Sequence, residues 1–467
     1  MEPLPRVCII GAGSSGIAVA KSMKDRGIPY DCFEKGDRVG GNWYFRNPNG
    51  MSAAYESLHI NTDCRLMEYR DYPMPADTPD YPTHRVIMDY FEDYVDHFGL
   101  GETITFNTAV DRAERREDGV WEVTLDDGRV LEYDVLMVAN GHHWDPYWPD
   151  PAYPGEFDGR QIHSHSYLNP QEPLDCRGKK VLIVGMGNSA MDIACELSRP
   201  GLAEKVYLSA RHGVWVVPKY LFGKATTRLT GMPHWVPWKL NSWLTGLLVS
   251  MQVGKPWNYG LPKPDHRILQ AHPTISQEIY IRLGSGDIHP RPGIRELDGS
   301  HVEFEDGQRD PVDVIIWCTG YKVSFPFFDP AFLSAPDNDL PLWERMVKPG
   351  INNLFFIGLL QPLGAIMPIA EAQGHFLGDY LLGRVALPGA DEMRRTIEKE
   401  RRAMFDRYKD RAPRHTMQVD FNRYFARLER HRKTGDRRAR SIGYALPVTP
   451  RAEPLPDVGP GMRRAVS

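Results

Sequence analysis

Phe157-x-Gly159-x-x-x-His163-x-x-x-Tyr167, then a short polar connection, then Lys179-Lys180-Val181-Leu182-Ile183-Val184-Gly185-x-Gly187-x-x-Ala190: the reading of this stretch decides the fold. Its second half is an apolar run that passes through a glycine turn into a helix start. That is the local arrangement by which bare backbone amides reach a pyrophosphate. Gly185, Gly187, Asn188, Ser189 and Ala190 are its candidate contacts. A first copy stands near the N-terminus, where Val7-Cys8-Ile9-Ile10 runs into Gly11-x-Gly13-x-x-Gly16, with Ser14 and Ser15 inside the turn. The chain thus carries two dinucleotide cradles, and the segment from Phe157 to Tyr167 joins them.

Outward from the first cradle, Ile17 to Arg26 reads as a helix closed by Gly27, and Tyr30 to Phe33 as a second strand ending at Glu34-Lys35. An acid at that strand end accepts hydrogen bonds from a ribose diol, so strand, helix, strand and acid together favour a nucleotide over a turn without a ligand. The second cradle differs at the equivalent place. Lys205 to Leu208 is followed by Ser209-Ala210-Arg211, and a hydroxyl with a guanidinium suits the extra phosphate of NADPH, which an aspartate would repel. A plain surface arginine is the alternative reading. Each half then shows a hairpin turn, Asp127-Gly128 or Asp306-Gly307, and a closing apolar strand, Asp134 to Gly141 or Asp313 through Thr319-Gly320 to Tyr321. This repeat predicts an α/β protein with two Rossmann-like dinucleotide-binding domains, one embedded in the other. The expected division is 1–168 for the first part of one domain, 169–322 for the inserted domain with an aromatic insert, 323–445 for the return segment and 446–467 for a polar tail.

Length and composition fit this reading. The 467 residues exceed one ordinary core, and a net charge of -5 offers no field that would draw in nucleic acid or an anionic membrane. Six scattered cysteines, Cys8, Cys32, Cys64, Cys176, Cys195 and Cys318, form no C-x-x-C pair, which points to buried thiols in a reducing cytoplasm. Neither a signal peptide nor a membrane-spanning run is expected. No metal site is expected, because His142-His143 has no third ligand at a suitable spacing, and His163 reads as a structural hinge. Ile87, Phe91, Tyr94, Val95 and Phe98 share one helical face and read as core. Trp235 to Val253, interrupted by Pro237, Lys239 and Asn241, reads as a lid or channel wall, with contact to a membrane surface as the alternative. Residues 391–411 read as a solvated helix, and the arginine-rich stretch from Arg432 to Arg440 as a disordered or extended arm.

The order of glycine motif, Phe-x-Gly-x-x-x-His-x-x-x-Tyr and second glycine motif resembles the flavin-containing monooxygenases, over about residues 5–430. The resemblance implies FAD in the first cradle, NADPH in the second, and O2 as co-substrate. It also implies oxygenation of a soft nitrogen or sulfur atom through a C4a-(hydro)peroxyflavin. The turn Gly40-Gly41-Asn42-Trp43 is similar to one that packs on the flavin in that family, and Asn61-Thr62 to the pair beside the flavin and the nicotinamide ribose. Asn61 is accordingly the expected catalytic residue; from the residues alone it is a turn. The segment Gly358-x-x-Gln361-Pro362-Leu363-Gly364 through Pro368 to Glu371 and Gln373 looks like the last FAD-contacting region, with Gln373 as a contact. Arg414 to Asp420 resembles the family's C-terminal region, and the membrane anchor of animal members is not expected here. One departure stands out, Cys318 in place of an alanine; Tyr167 keeps the motif and stands where Baeyer–Villiger monooxygenases generally have tryptophan. Ketone oxygenation is therefore the second choice, and a redox or nucleotide sensor is the choice outside enzymology. A homodimer is the assembly implied for relatives without an anchor, while the residues themselves leave it open.

Overall fold

The computed structural model describes residues 3–407 and 416–453. Val7–Ile10 is a strand because four apolar side chains in a row can be buried on both faces of a parallel sheet; Val7, Cys8 and Ile9 have no exposed surface. It lies at the centre of a five-stranded parallel sheet ordered Leu354–Phe356, Val135–Val138, Val7–Ile10, Tyr30–Phe33, Ile104–Thr105. The second sheet repeats the arrangement with Arg160–His163, Val314–Trp317, Lys180–Val184, Lys205–Ser209 and Ile288–Arg291, again all parallel. In both, the strand before the glycine turn sits between its crossover partner and the closing strand. The helices Ser14–Asp25 and Asn188–Leu197 begin immediately after the two turns.

Strand pairing sets one boundary earlier than the sequence division. Arg160–His163 already pairs with Val314–Trp317, and Gly155–Phe157 pairs with the Ile294–Gly299 strand. The linking motif is therefore built into the second sheet rather than lying before it. From Tyr167 the phenol donates to Glu196 at 2.8 Å, and Tyr55 of the first half donates to Asp192 at 2.6 Å, so the helix after the second glycine turn takes two buried phenols.

Two expectations about the C-terminal part need correction. The arginine-rich stretch is no extended arm: Phe421–Ser441 is a 21-residue helix, burying Tyr424, Leu428, Gly435 and Ala439 on one side. Arg427 and His431 from that helix both reach Glu344, whose carboxylate is fully buried. A partner about 80 residues away in sequence thus neutralises charge that composition alone reads as solvated. Nor are residues 446–453 a free polar tail, because Val448 is buried and the amides of Arg451 and Ala452 donate to Asp134. Residues 454–467 lie outside the described residues.

The helix Ala390–Arg407 is solvated as expected, with only Met393 and Ile397 buried; residues 408–411 of that expectation, and Arg414 and His415, fall outside the described residues. The helix His84–His97 buries Ile87, Phe91, Tyr94 and Val95 in the first core. Pro237 does not interrupt the aromatic insert. It caps a 16-residue helix, Trp238–Val253, because proline lacks the N–H that a helix start leaves unpaired anyway.

Candidate active site

Each glycine turn is shaped by close backbone approach. Gly11 has φ +97°, and a Cβ there would stand 2.8 Å from the Ala139 carbonyl oxygen; Gly185, at φ +136°, would meet the Cys318 carbonyl oxygen at 2.4 Å. Only glycine relieves both restrictions. Gly13 and Gly187 are the N-caps of the two helices and supply no side-chain cap, so first-turn amides stay available at the mouth of each cradle. Beside Gly187 a Cβ would meet no protein atom, which leaves room for a ligand against the backbone.

A cavity of about 710 Å³ opens above the first turn. Gly11, Gly13, Ser14 and Ser15 form its floor, Glu34 and Lys35 stand at one side, and Gly41, Asn42 and Trp43 at another. Glu34 is buried, and its two oxygens accept from the amides of Ala12 and Gly36 at 2.7 Å each. Burial pushes its carboxyl above the ordinary range, while those two amides pull it back. Gly16 is outside the cavity: a Cβ there would stand 1.9 Å from the Gly11 carbonyl oxygen, so this glycine lets the helix lie against the turn. The dimensions and donors fit FAD.

A second cavity, of about 650 Å³, covers Gly185, Gly187 and Asn188, with Arg211, Thr319 and Gly320 also facing it. Arg211 is exposed there. Ser209, although on the cavity wall, is not a free donor as the sequence suggested. Its side chain is buried and its hydroxyl donates to the Pro292 carbonyl at 2.6 Å, because the edge loop after Arg291 needs that bond. Ser189 and Ala190 lie past the cavity in the helix, and Tyr321 packs among the rings of His143, His163 and His165 instead of facing the cradle. His163 holds the amide of His165 through Nδ1, and burial keeps its pKa down to about 4, consistent with a neutral structural hinge.

A third cavity, of about 280 Å³, lies beneath the aromatic insert, where Trp238, Asn241 and Thr245 of the insert helix face Phe421 and Arg423. Asn61 and Thr62 border both this cavity and the first, Asn188 borders the first two, and His272 borders all three. The Asn61 side-chain oxygen is buried without a protein partner, the expected condition of a group that serves a ligand. Its loop is clamped from the second half. Lys219 donates to the Ile60 carbonyl at 3.3 Å, while Thr227 and Arg228 both donate to Asp63 at 2.8 Å.

Gln373 is the clearest correction among the expected contacts. It has no exposed surface and borders none of these cavities. Its carbonyl accepts from Gly358 N at 2.9 Å and its amide donates to Tyr424 at 2.7 Å, so it supports the Gly358 loop from behind. His272 was missed by the sequence reading, since a histidine between Ala271 and Pro273 has no motif to mark it. Its Nδ1 is 2.9 Å from the Pro273 carbonyl, and burial lowers its pKa, which keeps the ring neutral.

Two parallel sheets, each with a glycine turn opening to its own cavity and sharing a junction, define a protein with two dinucleotide sites, the arrangement of a two-cofactor oxidoreductase. The flavin-binding monooxygenase-like family model matches residues 5–434. Flavin-containing monooxygenase 5 of Rattus norvegicus is 35% identical over 441 residues, covering 89% of this chain and 80% of that protein. Among solved structures, S-allyl-L-cysteine S-oxygenase from Allium sativum superposes with a TM-score of 0.69 at 23% identity, over 94% of this chain and 92% of the other. Cyclohexanone monooxygenase from Rhodococcus sp. Phi1, bound to NADP+, gives 0.70 at 18% identity over 97% and 100%. The chain belongs to the flavin-binding monooxygenase-like family. It is a flavoprotein monooxygenase with FAD and NADPH as cofactors. Among the described residues no helix is long and apolar enough to cross a membrane.

Proposed function

We propose that this monooxygenase transfers one oxygen atom from O2 to a soft nucleophilic nitrogen or sulfur of a small molecule bound beneath the aromatic insert. The observation that carries this reading is the junction at Asn61 and His272, where the two cofactor-sized cavities and the smaller apolar one meet. FAD, when bound, supplies hydride acceptance from NADPH and activation of O2. The first cradle, Gly11, Gly13, Ser14 and Ser15 with Glu34, Lys35, Gly41, Asn42, Trp43 and Thr62, holds it. Glu34 takes the ribose hydroxyls with the lone pairs left over from Ala12 and Gly36.

The second cradle, Gly185, Gly187 and Asn188 with Thr319 and Gly320, holds NADPH, and Arg211 pairs with the extra phosphate. Asn61 orients the reacting groups through its unpaired side-chain oxygen. Leu66, Val217, Trp238, Leu269 and Phe421 wall the small cavity with apolar surface, which excludes the water that would divert oxygen to peroxide. A neutral His272 adds no charge at the junction. The name of the garlic S-oxygenase supports heteroatom oxygenation; the fold shared with cyclohexanone monooxygenase supports ketone oxygenation as the second reading. The domain division follows the two sheets, with the inserted unit reaching from about residue 155 to 322. Six unpaired cysteines support a cytoplasmic setting. A homodimer is proposed only from the resemblance.

The test is oxygen uptake with NADPH and, in turn, thioanisole, trimethylamine and a cyclic ketone, with product and peroxide both counted. Sulfoxide or N-oxide in step with NADPH supports the reading, and lactone alone replaces it by the second. Asn61→Ala is expected to keep its flavin while product per NADPH falls roughly tenfold and peroxide rises, the loss of about 1.4 kcal/mol of orientation. Unchanged coupling removes the role from Asn61.

A further inference from the structure

The small cavity beneath the aromatic insert is bordered by one more positive charge than the fold neutralises. Among the described residues, the guanidiniums of Arg228, Arg407 and Arg423 face it, against a single carboxylate, Asp420. The first two are paired within the protein. Arg228 donates from Nε to Asp63 and from Nη2 to Asp80, both at 2.8 Å, and Arg407 Nη1 donates to the two Asp420 oxygens at 3.1 and 2.9 Å. Arg423 is half-buried and has no carboxylate partner among the described residues. Its Nη2 donates to the Val236 carbonyl at 3.1 Å. That leaves most of a planar fork, whose geometry matches a carboxylate through two parallel hydrogen bonds, facing the cavity.

The walls give that charge its weight. Leu66, Val217, Trp238, Leu269 and Phe421 are apolar, so a guanidinium beside them is weakly screened and gains most from an anion that enters. Nearby hydroxyls are already engaged: Thr226, Thr227 and Thr230 donate to the Pro218 carbonyl, Asp63 and the Thr226 carbonyl. A bracing role for Arg423 does not call for a cation, because a neutral donor would serve the Val236 carbonyl equally well. Its neighbour Asn422 already ties the Phe421–Ser441 helix to the insert, donating to the Met232 carbonyl at 2.8 Å. Asn61 borders the flavin cavity as well as the small one, whereas Arg423 borders the small one alone. A ligand paired with Arg423 therefore holds its charge clear of the flavin cavity, with its other end free to extend toward Asn61.

We propose that Arg423 sets substrate specificity: the cavity takes a small thioether or amine that also bears a carboxylate, and the carboxylate pairs with Arg423 while the soft atom lies at Asn61. The anion site stands on the cavity and its charges. The placing of the soft atom rests on the function proposed above.

The experiment titrates the full-length, flavin-loaded, oxidised protein with para-(methylthio)benzoate and with its primary amide, a pair alike in shape and different in charge. Kd is read by calorimetry without NADPH. The acid should bind about tenfold or more tightly than the amide, and added salt should narrow the gap. Arg423→Gln keeps a donor for Val236; it should bring the two Kd values within about twofold of each other while flavin content and Tm stay at the wild-type level. Arg423→Glu should reverse the order in favour of para-(methylthio)benzylamine. Equal Kd values for acid and amide in the wild type, no binding of the acid, or a preference that survives Arg423→Gln each overturn the proposal. The wild-type comparison decides even where a variant fails to fold. The expected preference without any sulfoxide after addition of NADPH and O2 would instead strike the oxygenation reading and leave the anion site standing.

Discussion

The two glycine turns are built alike and finished differently. In the first, the helix lies so close that a Cβ at Gly16 would stand 1.9 Å from the Gly11 carbonyl, and a buried carboxylate, Glu34, locks two loop amides at 2.7 Å. In the second, the equivalent helix position is Ala190, fully buried with its methyl in place, and the strand end offers an exposed Arg211. The same motif thus makes one turn closed by a bare glycine and a buried carboxylate, and another finished by a methyl and an exposed guanidinium. We read the first as suited to a cofactor kept through many turnovers and the second to one that exchanges.

Swapping the two small residues breaks or confirms that contrast most sharply. Gly16→Ala should give protein that loses its flavin and most of its folded yield, read from the ratio of visible to ultraviolet absorbance and from Tm. Ala190→Gly should fold and keep its flavin, at a cost of about 0.5–1 kcal/mol. Equal damage from both would remove the distinction. Arg211→Ala comes next: kcat/KM for NADPH should fall about tenfold or more while that for NADH hardly moves, the loss of about 1.5–3 kcal/mol from a charge-assisted pair. Selectivity that survives Arg211→Ala would make it a plain surface residue. Gln373→Leu leaves Gly358 N without its acceptor and takes from the Tyr424 hydroxyl the bond it accepts, while that hydroxyl still donates to the Glu344 carbonyl; the change should cost about 1–3 kcal/mol in thermal or denaturant unfolding without altering nicotinamide selectivity. A direct flavin contact would instead show as a changed flavin spectrum at unchanged stability.

The smallest expected effect concerns the surface between the two halves. Burial pushes the Asp192 carboxyl from its ordinary 3.8 up to about 6, against the opposing effect of the Tyr55 hydrogen bond and Lys219. A carboxyl whose folded pKa is raised favours its protonated form in the fold. Its stability contribution is therefore complete below about pH 4 and is lost as the pH rises through 6. Asp192→Asn keeps an acceptor for Tyr55 and removes that loss. The variant should match the wild type near pH 4 and melt at a slightly higher temperature at pH 7; a Tm difference that does not change with pH would contradict the burial of this group.

Most of the sheets was legible because the strands announce themselves. Val7 to Ile10 and Val181 to Val184 are short apolar runs stopped by glycine, and such signals are local. The hairpins at Asp127-Gly128 and Asp306-Gly307 are likewise seen between antiparallel strands. The Phe421–Ser441 helix was hidden for the opposite reason. Its arginines look solvated until Glu344 is placed beneath Arg427 and His431, and no spacing in the sequence connects them. Gln373 shows the same limit at the site: a glutamine in a motif can contact the ligand or brace the loop that does, and the two share one sequence.

Taken alone, the amino-acid sequence determined the two cradles, their order and their chemistry, because turn geometry, strand burial and the charge at a strand end are set by neighbours in the chain. Tertiary structure alone decided that Asn61, Asn188 and His272 border common space, that the Ser209 hydroxyl is spent on Pro292 and Gln373 lies behind the Gly358 loop, and that the insert helix turns its tryptophan and leucines outward. Those facts depend on which distant segments compete for the same contacts, and a linear pattern does not record that competition.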